Sequence, residues 1–130
     1  MQSLLRFTGA WLLVAFYAGG ISFGSSLSHP PLVSTFDLPY FDKLCHFTEY
    51  SGLTFLLIRA LSLTYATRAS TAVWAAILVV LYGASDELHQ AFTPNRVMSG
   101  YDLLADAVAA GVVAGVWLWA RRRWPTVVKS

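Results

Sequence analysis

Apolar residues fall into four long runs, each close to the length that crosses a hydrocarbon core. The runs cover approximately residues 4–23, 44–63, 72–92 and 103–120. A core about 30 Å thick needs roughly 20 apolar residues in a helix, so the pattern predicts four transmembrane helices. These helices use most of the chain. We therefore predict an all-α integral membrane four-helix bundle that forms a single domain over residues 1–130.

Composition supports the prediction of a membrane protein, and the length of the first run supports a transmembrane helix there. Hydrophobic residues make up 56% of the chain and charged residues 12%, about half the roughly 25% usual in soluble domains. A cleaved signal peptide is the alternative for the first run, because Arg6 lies near its start and small residues occur toward its end, in the segment "AFYAGG". However, the run is longer than the 7–15 residues usual for a signal core, and cleavage would leave an odd number of spans. Cys45 is the only cysteine, which excludes an internal disulfide.

Basic residues predict the orientation of the helices. Most of them lie at one set of helix ends, namely Arg6, Arg59, Arg68, Arg121, Arg122, Arg123 and Lys129. Lys43 and Arg96 lie at the other set. The positive-inside rule therefore predicts a multi-pass protein with both termini in the cytoplasm and with the loops at 24–41 and 93–100 outside.

Acidic residues are also distributed unevenly. All seven fall in the predicted outer half, which gives that half a net charge of −5 and the inner half +7. The positive-inside rule does not account for this, because acidic residues contribute little to it. Charge within a membrane is costly and usually marks a functional site, so we expect a site at the outer end.

The second helix opens with a polar stripe in the segment "DKLCHFTEY". Asp42, His46 and Glu49 are four and three residues apart, which places them on one helical face. Asp42 also suits an N-cap after Pro39. His46 and Glu49 lie one and two turns deeper, where capping does not explain them.

The third helix ends with the segment "DELHQAFTP". Asp86 has His89 and Gln90 three and four residues further on, and Pro94 should end the helix. Asp86 and its neighbour Glu87 therefore lie near a helix C-terminus, where the macrodipole disfavours negative charge. A functional role explains this placement better than a merely solvated helix end does.

The fourth helix opens with the segment "SGYDLLADAVAAG". Ser99 and Asp102 match a capping box, and Asp106 lies one turn deeper on the same face. Arg96, in the preceding loop, is the nearest counter-charge for the acidic residues. A ridge of small residues that suits close helix packing lies opposite, at Ala107, Gly111 and Gly115.

The three polar stripes should meet, because consecutive helices joined by short loops pack antiparallel. We predict one polar pocket at the outer helix ends. Its catalytic candidates are Asp86, Glu87 and His46. Its binding candidates are Asp42, Lys43, Glu49, His89, Gln90, Arg96, Asp102 and Asp106.

The ordered set of motifs resembles the VanZ-like family over roughly residues 40–116. The motifs that carry the resemblance are Asp42-Lys43…His46, Asp86-Glu87…Gln90, Arg96, Asp102, and Gly111 with Gly115. Two positions depart from the family pattern. Asp106 stands where Asn is usual, and Asn95 precedes the loop Arg where Gly is common.

The resemblance implies a cellular setting. VanZ-like proteins are small bacterial multi-helix membrane proteins, and the founding example is associated with low-level resistance to teicoplanin, a glycopeptide that targets cell-wall precursors. The resemblance thus implies a bacterial inner-membrane protein that acts on or binds a cell-envelope molecule, with an effect on glycopeptide resistance.

Three kinds of function fit the predicted pocket. In the first, a membrane enzyme acts on a lipid-linked envelope molecule, with partly desolvated carboxylates as acid or base and with Arg96 and Lys43 holding a phosphate. The residues leave the type of reaction open. In the second, a non-catalytic module binds or shields an envelope molecule or assembles with envelope proteins.

The third kind of function is divalent-metal binding. Bundle metal sites use acid-x-x-His pairs, and Asp86 with His89 has that spacing. The residues that would contribute ligands are His46, Glu49, Asp86, His89, Asp102 and Asp106. Such pairs also arise by chance, so the sequence assigns neither a metal ligand nor a cofactor.

The expected partners are membrane lipids or a lipid-linked envelope precursor. A homo-oligomer is compatible with the sequence, which does not fix the oligomeric state. Nucleic acid is not expected, because the basic cluster at Arg121–Trp124 directly follows the last span, where it suits anionic headgroups.

Overall fold

The structure, a computed structural model, describes residues 2–27, 40–65 and 69–124. These residues form four α-helices and no strand: α1 (Gln2–Ser25), α2 (Phe41–Tyr65), α3 (Ala69–Gln90) and α4 (Gly100–Arg123). The predicted all-helical fold is confirmed. The helices begin two to three residues before the apolar runs, because polar first turns such as that at Asp42 continue the helix beyond its apolar part.

The helices run alternately up and down. Ser25, at the end of α1, contacts Asp86 near the end of α3, and His46 near the start of α2 contacts Asp106 near the start of α4. We call this end of the bundle, where α1 and α3 finish and α2 and α4 begin, the polar end. Helix α2 packs against all three other helices, whereas α1 and α3 touch little.

The interior between the helices is built from aliphatic and small side chains. Ile58 on α2 and Ala75 on α3 are fully buried, as is Ala110 on α4. Small residues let helix backbones approach closely. The ridge predicted for this purpose is wrong: Gly111 and Gly115 are exposed, and a Cβ at either would meet open space. The face of α4 that packs in the bundle is rotated by about one residue, or about 100°, from the face that carries this ridge.

The outside of the bundle is apolar. Large hydrophobic side chains such as Phe16 (84% exposed) and Leu81 (62%) project from it, whereas soluble proteins rarely expose large contiguous apolar patches. Three helical segments are long and apolar enough to cross a membrane: Leu4–Ser25, Ala69–Gln90 and Gly100–Arg123. The chain is therefore a membrane protein, and three of the four predicted spans meet the criteria of length and composition.

Helix α2 is long enough to span but is more polar, because it carries Asp42, Lys43, Glu49 and Arg59. Asp42 and Lys43 are partly buried at the start of α2, whereas Glu49 and Arg59 are exposed. Helix α2 packs against the other three helices. The predicted loop at 24–41 lies largely outside the described residues. So do three charged residues counted in the orientation: Asp37, Arg68 and Lys129.

The connection from α3 to α4 turns tightly. The Thr93 amide donates to the Gln90 carbonyl at 3.0 Å, and the Arg96 amide donates to the Thr93 carbonyl at 3.1 Å. Asn95 adopts a left-handed backbone with φ 62°. Gly adopts this conformation freely, and Asn adopts it more readily than most other residues. The departure from the family's Gly at this position is therefore conformationally conservative.

Candidate functional site

Buried polar side chains gather at the polar end. They come from all four helices, and they are Ser25, His46, Asp86, Glu87, Gln90, Asp102 and Asp106. Asp106 is 0% exposed and Glu87 2%. A concentration of ionisable groups inside a membrane bundle is a strong indication of function.

The deepest contact joins α2 to α4. His46 Nδ1 lies 3.0 Å from Asp106 Oδ1, and the ring nitrogen donates because the carboxylate accepts. Tyr50, one turn along α2, stacks on the imidazole with ring centroids 5.9 Å apart and planes 6° apart. The hydrogen bond and the stacked ring together fix the orientation of His46.

Helix α3 makes room for this pair at Gly83. A Cβ at this position would lie 2.8 Å from Asp106 Oδ2, closer than real Cβ atoms tolerate, and 3.2 Å from Tyr50 Cε1, a tight contact. Gly83 thus allows the Asp106 carboxylate to pack directly against the α3 backbone. Sequence reasoning missed both Gly83 and Tyr50, although a glycine inside a helical run often has a packing reason.

Glu87 lies beside the His46–Asp106 pair. Its Oε2 accepts a hydrogen bond of 2.7 Å from the backbone amide of Ser99, just before α4. Its Oε1 is buried and has no hydrogen-bond partner in the described part of the chain, and the same holds for Asp106 Oδ2. One potential ligand atom from each of His46, Glu87 and Asp106 lies within 4.8 Å of the others.

A second network links α1, α3 and the loop that follows α3. Asp86 Oδ2 accepts from Ser25 Oγ at 2.7 Å and from Gln90 Nε2 at 3.2 Å. Gln90 Oε1 in turn accepts from Arg96 Nη2 at 2.6 Å. The carboxylate near the C-terminus of α3 is therefore stabilised by neutral donors, one of which is polarised by a guanidinium. The sequence did not predict Ser25, because no polar pattern on α1 singles it out.

This network corrects the role expected for Arg96. Among the described residues, Arg96 donates to the Gln90 amide and pairs with no carboxylate. The cation beside Asp102 is Lys43, whose Nζ lies 2.8 Å from Asp102 Oδ1 and also bonds Asp42. Burial lowers the pKa of Lys43, which precedes the apolar run at 44–63, but the bonds to Asp102 and Asp42 outweigh burial and raise that pKa.

The two predicted caps have different outcomes. Ser99 is the N-cap of α4, and its Oγ accepts from the Asp102 amide at 3.3 Å. Asp42 is not the N-cap of α2, because the helix already begins at Phe41 and Asp42 lies inside its first turn. Tyr40, which directly precedes the helix, has a left-handed backbone with φ 66°.

Two predicted site residues lie apart from the buried cluster. Glu49 is exposed, and His89 is exposed and within 3.0 Å of Ser26 Oγ. Glu49 and His89 are three residues after His46 and Asp86. A residue four positions along a helix lies closer to the face of the starting residue than a residue three positions along does. At the polar end Tyr50 and Gln90, which are four residues after His46 and Asp86, take the buried places.

The remaining predicted residues meet at the polar end in two layers. The buried layer contains His46, Asp86, Glu87, Gln90, Asp102 and Asp106. The partly buried rim contains Asp42, Lys43 and Arg96. Both cations therefore lie toward the surface of the cluster, and the four buried acids lie beneath them.

Comparison with known proteins agrees with the motifs. The sequence profile of the VanZ/LLP1 family matches residues 3–123. Searches of curated proteins and of solved structures give no significant match. The profile covers nearly all of the chain, including every helix that contributes to the polar end, so the chain belongs to the VanZ/LLP1 family.

Proposed function

We propose that this protein binds the phosphate-bearing headgroup of an envelope lipid, or of a lipid-linked envelope precursor, at the polar end. In this proposal the chain crosses a bacterial inner membrane four times and keeps both termini in the cytoplasm. The observation that carries it is unused hydrogen-bonding capacity inside the cluster, at Glu87 Oε1 and Asp106 Oδ2. Leaving a buried acceptor unsatisfied costs about 1–3 kcal/mol, and such groups in a native protein call for an explanation such as a ligand.

The orientation is supported by the basic residues that the structure describes. Arg121, Arg122 and Arg123 form the last turn of α4, at the end of the bundle opposite to the cluster. Arg6 and Arg59 border one groove between α1 and α2, also toward that end. Basic residues favour the cytoplasmic side, so the polar end would face the cell envelope.

The layering of charge suits a headgroup that carries a phosphate and hydrogen-bond donors. Lys43 and Arg96 lie at the rim and would supply positive charge for the phosphate. The deeper acceptors on Glu87 and Asp106 would take hydroxyl or amino groups from the sugar or peptide portion. A precursor bound by this protein would be less accessible to a glycopeptide, which connects binding with resistance.

Catalysis is a second candidate function. His46 is oriented by Asp106 and lies close to Glu87, and an imidazole fixed by a carboxylate beside a second acid is an arrangement suited to proton transfer. Asp86, in contrast, accepts hydrogen bonds from Ser25 and Gln90, which favours a positioning role for it. An enzyme would change the composition of the lipid pool, whereas a binding protein would leave it unchanged.

Binding of polyprenyl phosphate by the purified protein tests the main proposal. We expect the Arg96→Gln variant to bind it about tenfold or more weakly, because a charge-assisted hydrogen bond contributes about 1.5–3 kcal/mol. Affinity would be measured by native mass spectrometry or microscale thermophoresis in detergent. The neutral polyprenol, which has the same tail without the phosphate, should bind far more weakly.

Arg122→Gln is the matched control, because it removes the same charge at the opposite end of the bundle, where Arg122 is exposed. It should leave the affinity unchanged. Equal affinities for the phosphate and the alcohol, or an equal loss in both arginine variants, would contradict binding at the polar end.

A further inference from the structure

We infer that His46, Glu87 and Asp106 form a binding site for one divalent transition-metal ion, of the Zn²⁺ or Mn²⁺ type. The three residues come from three different helices, and one potential ligand atom from each lies within 4.8 Å of the others. Ligands bound at about 2.0–2.2 Å are held roughly 3–4 Å apart. A small inward movement of the side chains would therefore complete the site.

The unpaired carboxylate oxygens point to a cation independently of this spacing. Glu87 Oε1 and Asp106 Oδ2 are both buried acceptors without a hydrogen-bond partner in the described residues. Without a shared proton, two carboxylates in one buried cluster cannot satisfy each other. A metal ion accepts electron pairs from both of them, which no neutral apolar neighbour can do.

The balance of charge leads to the same conclusion. Among the described residues Glu87 pairs with no cation, since Lys43 pairs with Asp102 and Asp42 and Arg96 binds an amide. Asp106 pairs with His46 alone, so two buried carboxylates have one imidazole between them. Burying an uncompensated carboxylate costs several kcal/mol. A divalent ion would compensate both charges at once.

The surroundings hold the three side chains in place. The Ser99 amide fixes Glu87 through its other oxygen, and Tyr50 stacks on the His46 ring. Gly83 leaves the space that the Asp106 carboxylate occupies. Supporting contacts of this kind orient the ligands of metal sites.

The chemistry of the three groups decides the class of ion. One imidazole with two carboxylates favours Zn²⁺ or Mn²⁺ over Ca²⁺, which prefers oxygen ligands throughout. Three protein ligands leave a coordination position open, as in catalytic metal sites. The inference deepens the proposed function: an ion would occupy the acceptors on Glu87 and Asp106 in place of hydroxyl or amino groups, and it would add positive charge for a phosphate. Its test does not depend on lipid binding.

The site differs from the metal site that the sequence suggested. His46 and Asp106 belong to both, and Glu87 is new. Asp86 and Asp102 are held by other partners, and Glu49 and His89 are exposed. The sequence-based set started from acid-x-x-His spacing, whereas the proposed site joins residues that are distant in the sequence.

Metal binding to the chelator-treated full chain tests the inference. We expect isothermal titration with ZnCl₂ or MnCl₂ to give one ion per chain, and MgCl₂ to bind much more weakly. Glu87→Gln keeps an acceptor for the Ser99 amide but removes the ligand charge, and it should weaken binding more than about 100-fold, since even supporting residues contribute 10–100-fold. Ser85→Ala, at an exposed position two residues before Glu87 on α3, should bind within twofold of wild type.

Thermal unfolding separates loss of the ion from loss of the fold. Without metal, Glu87→Gln should unfold at the wild-type temperature or higher, because it removes a buried charge. The metal should raise the unfolding temperature of wild type but not of this variant. Absence of binding to wild type, or binding that Glu87→Gln leaves unchanged and His89→Ala abolishes, would overturn the inference. If the lipid binds but the metal does not, the proposed function stands and this inference fails. If the metal binds but the lipid does not, only the proposed function fails.

Discussion

Replacing His46 by alanine should lower the free energy of unfolding by about 3–5 kcal/mol, the range for breaking a buried ion pair by removing one partner. Asp106 is 0% exposed, and in the described residues His46 is its one ion-pair partner. Removing the imidazole would leave that carboxylate buried without a counter-charge, and Tyr50 would also lose the ring that it stacks on. The measurement is reversible unfolding in mixed micelles, followed by circular dichroism.

His89→Ala is the matched control, because it removes the same side chain from an exposed position. Exposed substitutions usually change stability by no more than about 0.5 kcal/mol. Adding Asp106→Asn to His46→Ala should restore part of the loss, since the orphaned group is then neutral. A double variant no more stable than His46→Ala alone would show that the pair is not the source of the effect.

Gly83→Ala should have the second largest effect, a loss of about 1–3 kcal/mol, as is typical of overpacking. The added Cβ would lie 2.8 Å from Asp106 Oδ2 and 3.3 Å from Asp106 Cβ, so α3 and α4 would have to move apart. Asp106 cannot simply turn away, because His46 holds its other oxygen. The same micelle unfolding experiment measures the loss.

Gly111→Ala supplies the comparison within the same bundle. Nothing lies within 4 Å of a Cβ at Gly111, so the substitution should be neutral or should stabilise α4 by up to about 1 kcal/mol through helix propensity. If Gly83→Ala proved as harmless as Gly111→Ala, the close contact between α3 and Asp106 would lose its structural importance.

The helices themselves were predictable from the sequence, because the length of each apolar run and the caps are local properties. Ser99 illustrates this, since the capping pattern identified its role and the structure retains it. The start of α2 was less accessible. Polar first-turn residues such as Asp42 fall outside an apolar run, although the helix includes them.

The composition of the candidate site was predictable only in part. Periodicity places His46 and Asp86 on polar faces, but it does not show which neighbour turns inward, and the buried positions went to Tyr50 and Gln90. The contribution of Ser25 depends on where α1 ends relative to α3, which is a tertiary property. No local pattern carries that information.

The partners of the charged residues were also not predictable from the sequence. Arg96 is nearer in the chain to the acids of α3 and α4, yet Lys43 reaches Asp102. The reason is that the tight turn at Asn95 directs the Arg96 side chain to Gln90. The partner of a charge therefore depends on the path of the loop as well as on distance along the chain.

The side of the membrane that the polar end faces is the most direct test of an envelope function. Single cysteines at Asn95, beside the cluster, and at Trp124, at the far end of α4, would be introduced in a Cys45→Ser background. Both positions are exposed. Intact bacterial cells would then be treated with a membrane-impermeant maleimide. We expect labelling at position 95 in intact cells and at position 124 only after permeabilisation. Labelling at position 124 in intact cells, with position 95 protected, would place the cluster in the cytoplasm and contradict an envelope function.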